Sequence, residues 1–144
     1  MKNTVYLFCL LFCSSILLTS CFDDFDEGLY DIIGPVATIP VMQVSDGTPA
    51  PGNDVNITYR YYSENIEVRN VNLTANYNGE SVTIVNQDIS NFNKEDSYQE
   101  THSFTVPEDL DLGTEIVFLL EITTVNDLQN SRTIGATVTE DDGE

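Results

Sequence analysis

Apolar residues recur at every second position in one segment after another of this chain, from residue 36 to residue 139. In Asp54–Tyr62 they fall at positions 55, 57, 59 and 61, and in Thr114–Asn126 they fall at 116, 118, 120 and 122. Successive side chains of a β-strand point to opposite faces, so this pattern predicts strands with one buried face. No segment after residue 36 shows the period of 3.6 residues that marks an amphipathic helix. We therefore expect an all-β domain.

Turn and breaker residues divide these segments into about seven strands. Asn78-Gly79 suits the positive φ angles of a two-residue type I′ hairpin turn, and the strand ESVTIV follows it at once. A change of phase near Arg69-Asn70 predicts a β-bulge in the strand before that turn. Pro40 has no N–H to donate to a ladder, so we expect the first strand to lie at a sheet edge.

Seven short strands in a domain of about 100 residues are typical of an antiparallel β-sandwich of the immunoglobulin-like or fibronectin III-like kind. We predict that this domain covers residues 36–139 and that the segment 114–126 contains its central strand. The polar segment 86–97 is predicted to be a long loop or crossover, and residues 140–144 form an acidic tail. A domain of this size has room for one hydrophobic core.

The first twenty residues have the layout of an export signal. One cation, Lys2, precedes the apolar stretch Val5–Leu18, and two small polar residues follow it. A helix needs about 20 apolar residues to span a bilayer, and this stretch is shorter. Residues 1–20 are therefore predicted to be a signal peptide that is removed.

The predicted signal peptide ends at a cysteine. Leu18-Thr19-Ser20-Cys21 resembles the lipobox of bacterial lipoproteins, in which a signal peptidase cuts before the cysteine and the thiol carries diacylglycerol. The resemblance implies that Cys21 is lipidated and that the lipid anchors the chain to the outer membrane. Acyl chains anchor a protein because each buried CH₂ contributes about 0.8 kcal/mol. An ordinary secretory signal with an incidental cysteine is the alternative. Cys9 and Cys13 lie in the removed segment, so we expect neither an intrachain disulfide nor a cysteine-based metal site.

Residues 21–35 contain acids, glycine and proline without a sustained period, and they are predicted to form a tether. Its four acids are Asp23, Asp24, Asp26 and Glu27. They resemble the acidic export signal of surface lipoproteins of the Bacteroidota, although Phe22 and Phe25 interrupt the run. The resemblance implies a domain that faces the cell surface. A charged tether on the periplasmic side of the membrane is the alternative.

The charge of the chain limits its partners. The formal net charge is −19, and removal of residues 1–20 takes away one lysine and no acid, which makes it −20. A negative field of this size repels nucleic acid, so we expect no nucleic-acid partner. The expected partners are the membrane, through the lipid anchor, and an unknown protein or glycan.

The sequence offers few components for catalysis. It contains one histidine, His102, which lies in phase with apolar Phe104 and Val106 and is expected to be a partly buried strand residue. Neither a G-x-S-x-G elbow nor a phosphate-binding glycine loop occurs. We therefore expect a protein that is not an enzyme. A small hydrolase with two catalytic carboxylates is the weakest of three alternatives.

The acidic loops favour calcium binding over catalysis by paired carboxylates. The candidate ligands are Glu108, Asp109 and Asp111 in one interstrand loop and Asp127 in another. Oxygen-rich loops at one end of a sandwich suit a cation that takes 6–8 oxygen ligands. The alternative is that these acids are solvated turn formers. Apart from the lipid on Cys21 and this calcium, no cofactor is expected.

The second strand contains three tyrosines, Tyr59, Tyr61 and Tyr62, which together could form an aromatic surface on which a sugar stacks. Alternation sends Tyr59 and Tyr61 inward and leaves Tyr62 alone outside, which favours core packing over a platform.

The end of the chain resembles bacterial Ig-like domains. Leu110–Thr114 is similar to the loop that such domains place before their penultimate strand, and Val125–Asn130 is similar to the D-x-x-G-N turn before the last one, with Gln129 in place of glycine. The resemblance implies an Ig-like architecture rather than an activity. The favoured hypothesis is a lipid-anchored Ig-like module that acts by binding or scaffolding. A glycan- or calcium-binding accessory lipoprotein of a nutrient-uptake system is the alternative.

Overall fold

A computed structural model describes residues 36–140. The predicted signal peptide, Cys21 and the acids at 23, 24, 26 and 27 lie outside these residues. The described residues form seven strands: β1 (Thr38–Val44), β2 (Asp54–Tyr62), β3 (Val68–Tyr77), β4 (Glu80–Asp88), β5 (Ser97–Thr105), β6 (Glu115–Thr124) and β7 (Gln129–Thr137). Within residues 36–140, no helix is long and apolar enough to cross a bilayer.

The strands form two antiparallel sheets with the orders β1-β2-β5 and β4-β3-β6-β7. This arrangement confirms the predicted immunoglobulin-like or fibronectin III-like β-sandwich. The loop between β4 and β5 carries the chain from the larger sheet to the smaller one, so the predicted crossover is confirmed, although β4 extends to Asp88 before the loop begins.

Local features of the strands agree with the residues that predict them. β1 is an edge strand, and its register with β2 shifts between Thr38 and Val41, around Pro40. The register of β3 with β6 shifts between Val68 and Asn70, which confirms the predicted bulge. At the hairpin turn Asn78 and Gly79 have φ angles of 49° and 81°, as a type I′ turn requires.

The core lies between the two sheets and is built from alternate residues of each strand. The four even-numbered apolar residues of β6 are fully buried, and β6 is flanked by β3 and β7, which confirms it as a central strand. Tyr59 and Tyr61 of β2 are also fully buried. Inward alternation of large apolar side chains, rather than any local turn preference, therefore sets which face of each sheet points to the core.

The two lateral sides of the sandwich differ. On one side β1 meets β7, where the Asn130 amide donates to the carbonyl of Ala37 at 2.8 Å and Arg132 Nη1 donates to the carbonyl of Ile39 at 2.9 Å. On the other side β4 and β5 approach each other closely only in part, and no residue of β4 is buried. The sandwich is therefore closed at β1 and β7 and open between β4 and β5.

Candidate ligand-binding cleft

A cleft of about 320 Å³ opens where β2 ends and β5 begins. Its walls come from β2, the residue after Ser63, the crossover loop and the first residue of β5. The lining residues are Arg60, Tyr62, Glu64, Lys94, Glu95, Asp96 and Ser97. The volume lies at the lower end of the range of small-molecule sites.

Strand alternation places the β2 side chains of the cleft. Tyr61 is opposite Tyr98 in the β2–β5 ladder, and Tyr62 is opposite Ser97. Because Tyr59 and Tyr61 point into the core, Arg60 and Tyr62 point to the outer face of the smaller sheet. The sequence prediction that Tyr62 lies outside the core is confirmed, but the surface around it is concave and charged rather than an open platform.

Most polar groups that line the cleft have no partner within residues 36–140. Arg60, Tyr62, Glu64 and Lys94 make none of the side-chain hydrogen bonds or ion pairs found among these residues. Asp96 is the exception, because its carboxylate accepts a hydrogen bond of 2.9 Å from the Asn93 amide. The charged groups of Arg60 and Lys94 and the ring of Tyr62 are therefore available to contact a ligand.

The loop that carries Lys94 and Glu95 is ordered by Asn93. The Asn93 side-chain carbonyl accepts a hydrogen bond of 3.2 Å from the Glu95 backbone N–H, and its backbone carbonyl accepts one of 3.2 Å from the Asp96 N–H. An asparagine that bonds to its own backbone two residues on forms an Asx turn, which fixes a tight loop without secondary structure. This loop therefore presents its charged side chains from a defined backbone.

Aromatic packing fixes the same loop to the sandwich. Phe92, just before the turn, is buried and stacks on Tyr98 with a ring-centroid distance of 4.9 Å. Tyr98 stacks in turn on the buried Tyr61 at 5.4 Å, and its hydroxyl accepts a hydrogen bond of 2.8 Å from the Asn93 N–H. The inward side of β2 and β5 thus supports the loop that forms one wall of the outer cleft.

On the inner face of the same sheet, the buried residues Tyr59 and Tyr61 bond to the same carboxylate, that of Glu100. The Glu100 carboxylate accepts hydrogen bonds from the hydroxyls of Tyr59 at 3.0 Å and Tyr61 at 3.4 Å. Burial, together with the charge of Glu100, raises the pKa of both tyrosines well above the ordinary value of 10. Both hydroxyls therefore stay protonated and act as donors at neutral pH.

His102 completes this group. Its Nε2 lies 3.1 Å from both Glu100 Oε2 and the Tyr59 hydroxyl, and its ring stacks on that of Tyr59. About a quarter of its side chain is exposed, which confirms the prediction of a partly buried strand residue. Its partners could not be predicted from the apolar pattern because Glu100 interrupts it, although the i, i+2 spacing of Glu100 and His102 places both on one face.

A second, smaller cleft of about 220 Å³ lies on the open side of the sandwich. It is lined by Tyr61, Gln87, Asp88, Ile89, Ser90, Tyr98 and Glu100. Its volume is below that of typical small-molecule sites. Three of its lining residues already bond or stack with one another, so it offers fewer free groups than the cleft at Tyr62.

The structure separates the predicted calcium ligands. Glu108, Asp109 and Asp111 share the loop before β6, whereas Asp127 lies in the turn after it. A strand of ten residues spans about 30 Å, so Asp127 is at the opposite end of the sandwich and cannot complete a site with the other three. Asp127 instead pairs with Arg69 at 2.5 Å. Among residues 36–140, no three His, Cys, Asp or Glu side chains converge as a metal site would require. Calcium binding by Glu108, Asp109 and Asp111 stays a prediction, and it would require these three side chains to come together around the ion.

Neither a protein-family model nor a curated protein matches the sequence. Solved structures do resemble the fold. One is Spo0M, a sporulation control protein of Bacillus subtilis, with a TM-score of 0.55 and 16% identity over 76% of this chain. The match covers 51% of Spo0M, so this chain spans about half the length of that protein.

Two other structures match over nearly their whole length. A Niemann-Pick type C2 protein from the Japanese carpenter ant has a TM-score of 0.53 and 10% identity, with 74% of this chain and 96% of that one covered. The CARDB domain of a Pyrococcus furiosus protein, determined in complex with di-metal ions, has a TM-score of 0.51 and 14% identity, with 81% and 99% covered. At these identities the likeness shows the fold, which is an Ig-like β-sandwich.

Proposed function

We propose that this chain is a non-enzymatic, lipid-anchored binding module of the bacterial cell envelope, and that the cleft at Tyr62 binds a glycan. The observation that carries the proposal is the cleft itself, in which one outward aromatic ring lies among polar side chains, most of which have no partner within the described domain. The Ig-like structures that resemble the fold support a binding role in general and name no ligand for this chain.

The chemistry of the cleft suits a sugar. A sugar ring offers an apolar C–H face, which stacks on an aromatic ring such as Tyr62, and hydroxyl groups around its rim. Carboxylates such as Glu64 and Glu95 accept hydrogen bonds from these hydroxyls, and Arg60 and Lys94 donate to their oxygens. Acids and cations occur together in the cleft, so it favours a neutral polar ligand over a strongly charged one. The volume of about 320 Å³ admits a small saccharide rather than a long chain.

The proposed anchor is the lipid on Cys21, with the acids at 23, 24, 26 and 27 as an export signal to the cell surface. Two measurements test this part. Mass spectrometry of the mature protein should find Cys21 acylated at the N-terminus, and Cys21→Ser should leave the membrane fraction. Protease added to intact cells should cleave the domain, whereas a periplasmic domain would survive.

Glycan binding is tested with the chain from residue 21 onward, carrying Cys21→Ser so that it is soluble. The protein is applied to a glycan array, and hits are measured by calorimetry. Tyr62→Ala should lose binding because the stacking surface is gone, whereas Tyr62→Phe keeps the ring and should bind within about threefold of the parent. Both variants should melt at the parental temperature, since Tyr62 is outside the core.

A parent protein that binds no glycan, or a Tyr62→Ala variant that binds as well as the parent, would refute the glycan role.

Calcium binding by Glu108, Asp109 and Asp111 is tested separately. Added calcium should raise the melting temperature, and Asp109→Asn with Asp111→Asn should abolish the increase.

A further inference from the structure

The four edge strands of the sandwich are protected to different degrees. An edge strand exposes unpaired backbone groups that can add to another strand, and proteins block it with proline, bulges, charges or covering groups. β1 carries Pro40 and a break in register, and the side chains of Asn130 and Arg132 bond its carbonyls. β7 is bonded at its end, where the Thr137 N–H donates to the carbonyl of Gly47 at 2.9 Å. Because β1 and β7 also lie against each other, this side of the sandwich is less accessible to strand addition.

β4 is protected by its shape and its charges. Its register with β3 shifts so that Leu73 pairs with Val85 and Thr74 with Thr83, which leaves Ile84 as an extra, bulged residue. A bulge twists an edge away from a regular partner. β4 also has an acid at each end, Glu80 and Asp88.

β5 lacks these features. Its nine residues pair with β2 in one unbroken register, and it contains no proline, lysine or arginine. Its outer-face side chains are uncharged and exposed: Ser97, Gln99, Thr101, Ser103 and Thr105. The inward-pointing charge of Glu100 is the one feature of β5 that disfavours the addition of another strand. Its carboxylate is already bonded to two tyrosines.

The ladder shows which backbone groups of β5 are free. The Val106 N–H donates to the carbonyl of Asn53 at 2.9 Å, so these two residues form a hydrogen-bonded pair. Such pairs alternate along an antiparallel ladder, so the even-numbered residues of β5 bond to β2. The odd-numbered residues turn their N–H and C=O groups away from the sheet, and none of these groups has a partner among the hydrogen bonds of residues 36–140.

We propose that two copies of this chain associate through β5, which pairs with β5 of the second copy in antiparallel register with Thr101 opposite Thr101. The free odd-numbered groups would then bond to one another and join two three-stranded sheets into one of six strands. This surface shares Ser97 with the lining of the cleft at Tyr62, but the proposal does not depend on glycan binding.

Side-chain complementarity selects a second copy as the partner. With Thr101 on the two-fold axis, Glu100 faces His102 of the partner subunit on the inner side, and Tyr98 faces the partner's Phe104. Opposite-charge or hydrogen-bonded pairs and aromatic pairs stabilise facing positions of adjacent strands. On the outer side, Ser, Thr and Gln face one another, and no like charges meet.

Other registers and the other open edge are less favourable. A shift toward the start of the strand places Glu100 opposite Glu100 of the partner subunit, and a shift toward its end removes the pairing of Glu100 with His102. Antiparallel self-pairing of β4 around Ile84 would place Glu80 opposite the partner's Asp88 at both ends. Like charges in facing positions are destabilising, so the β5 register with Thr101 on the axis is favoured over the register with Glu100 on the axis and over self-pairing of β4.

The test uses the soluble chain from residue 21 onward with Cys21→Ser, in which Thr101→Cys becomes the single thiol. Facing residues of a hydrogen-bonded pair have Cα atoms about 5.5 Å apart, which a disulfide spans. Mild oxidation should therefore convert Thr101→Cys to a covalent dimer. Thr83→Cys, on the exposed face of β4, is the matched control and should remain monomeric under the same conditions.

Sedimentation velocity over a range of concentrations measures the noncovalent dimer. Thr101→Lys brings two cations together on the axis and should weaken dimerisation by at least about fivefold. Thr133→Lys adds the same charge on β7 and should not weaken it. Because both copies are strongly acidic, added salt should strengthen the dimer.

A parent chain that stays monomeric at millimolar concentration, or equal oxidation of the two cysteine variants, would overturn the proposal. A monomer that binds an added extended peptide along β5 would also overturn it, in favour of a foreign strand. Circular dichroism of each variant distinguishes these outcomes from misfolding.

Discussion

The buried tyrosines Tyr59 and Tyr61 predict that this domain loses stability steeply in alkaline solution. Both hydroxyls are donors to Glu100 from fully buried side chains, and the pKa of each is raised far above 10. In the unfolded chain both have the ordinary tyrosine pKa of about 10. Above that pH the unfolded state releases protons that the folded state retains, so stability falls as the pH rises.

The size of the expected loss of stability follows from the linkage between proton binding and folding. Stability from these two groups is fully present below about pH 10, and each pH unit above it costs about 1.4 kcal/mol for each tyrosine that stays protonated when folded. At about pH 11 the two together cost roughly 3 kcal/mol. That is a large share of the 5–15 kcal/mol typical of a domain, so the melting temperature should fall visibly.

The assay is urea unfolding of the soluble chain at several pH values from about 9 to 11, followed by circular dichroism. The control is the double variant with Tyr59→Phe and Tyr61→Phe. It should be less stable at neutral pH, because about 1 kcal/mol is lost with each hydrogen bond, but its stability should depend much less on alkaline pH. The same slope in parent and variant would show that these two hydroxyls ionise normally in the folded protein, and would refute the reasoning.

Three further substitutions probe the fold. Leu120→Ala removes a fully buried side chain of β6 and should cost about 2–5 kcal/mol in urea unfolding, and a cost under about 1 kcal/mol would contradict the assignment of β6 to the core. Gly79→Ala places a Cβ at a φ of 81° in the hairpin turn and should cost about 1–2 kcal/mol in the same assay, although the space around it is open. Ser63→Ala removes a buried hydroxyl that has no hydrogen-bond partner among residues 36–140. It should leave stability unchanged or raise it, and a loss above about 1 kcal/mol would show that this hydroxyl has a partner in solution.

The fold is largely readable from the sequence because one-sided burial imposes a period of two. In β2 and β6 that period is unbroken. β2 was predicted at its observed bounds, and β6 lies within the predicted segment 114–126. Prediction is less accurate where a strand begins or twists. β3 begins at Val68 rather than at Ile66, and the bulge at Ile84 is hidden because Val82, Ile84 and Val85 are all apolar.

The cleft could not be predicted, because its residues are brought together by the crossover rather than by any local pattern. Tyr62 stood out in the sequence as an outward aromatic residue, but Lys94 and Glu95 come from a loop more than thirty positions later. The position of that loop depends on Phe92 and Tyr98, whose stacking is a tertiary contact. The separation of Asp127 from the other acids, by contrast, was predictable, since a strand of ten residues lies between the two loops.

Alternation allows β5 to serve several roles without conflict. Its even-numbered side chains point inward, where Tyr98 supports the loop of the cleft and Glu100 satisfies the hydroxyls of Tyr59 and Tyr61. Its odd-numbered residues direct their backbone groups outward along the sheet edge, so strand addition would use none of the groups that hold the core. A substitution at an even position should therefore change stability and the cleft together, whereas a substitution such as Thr101→Lys should change association alone.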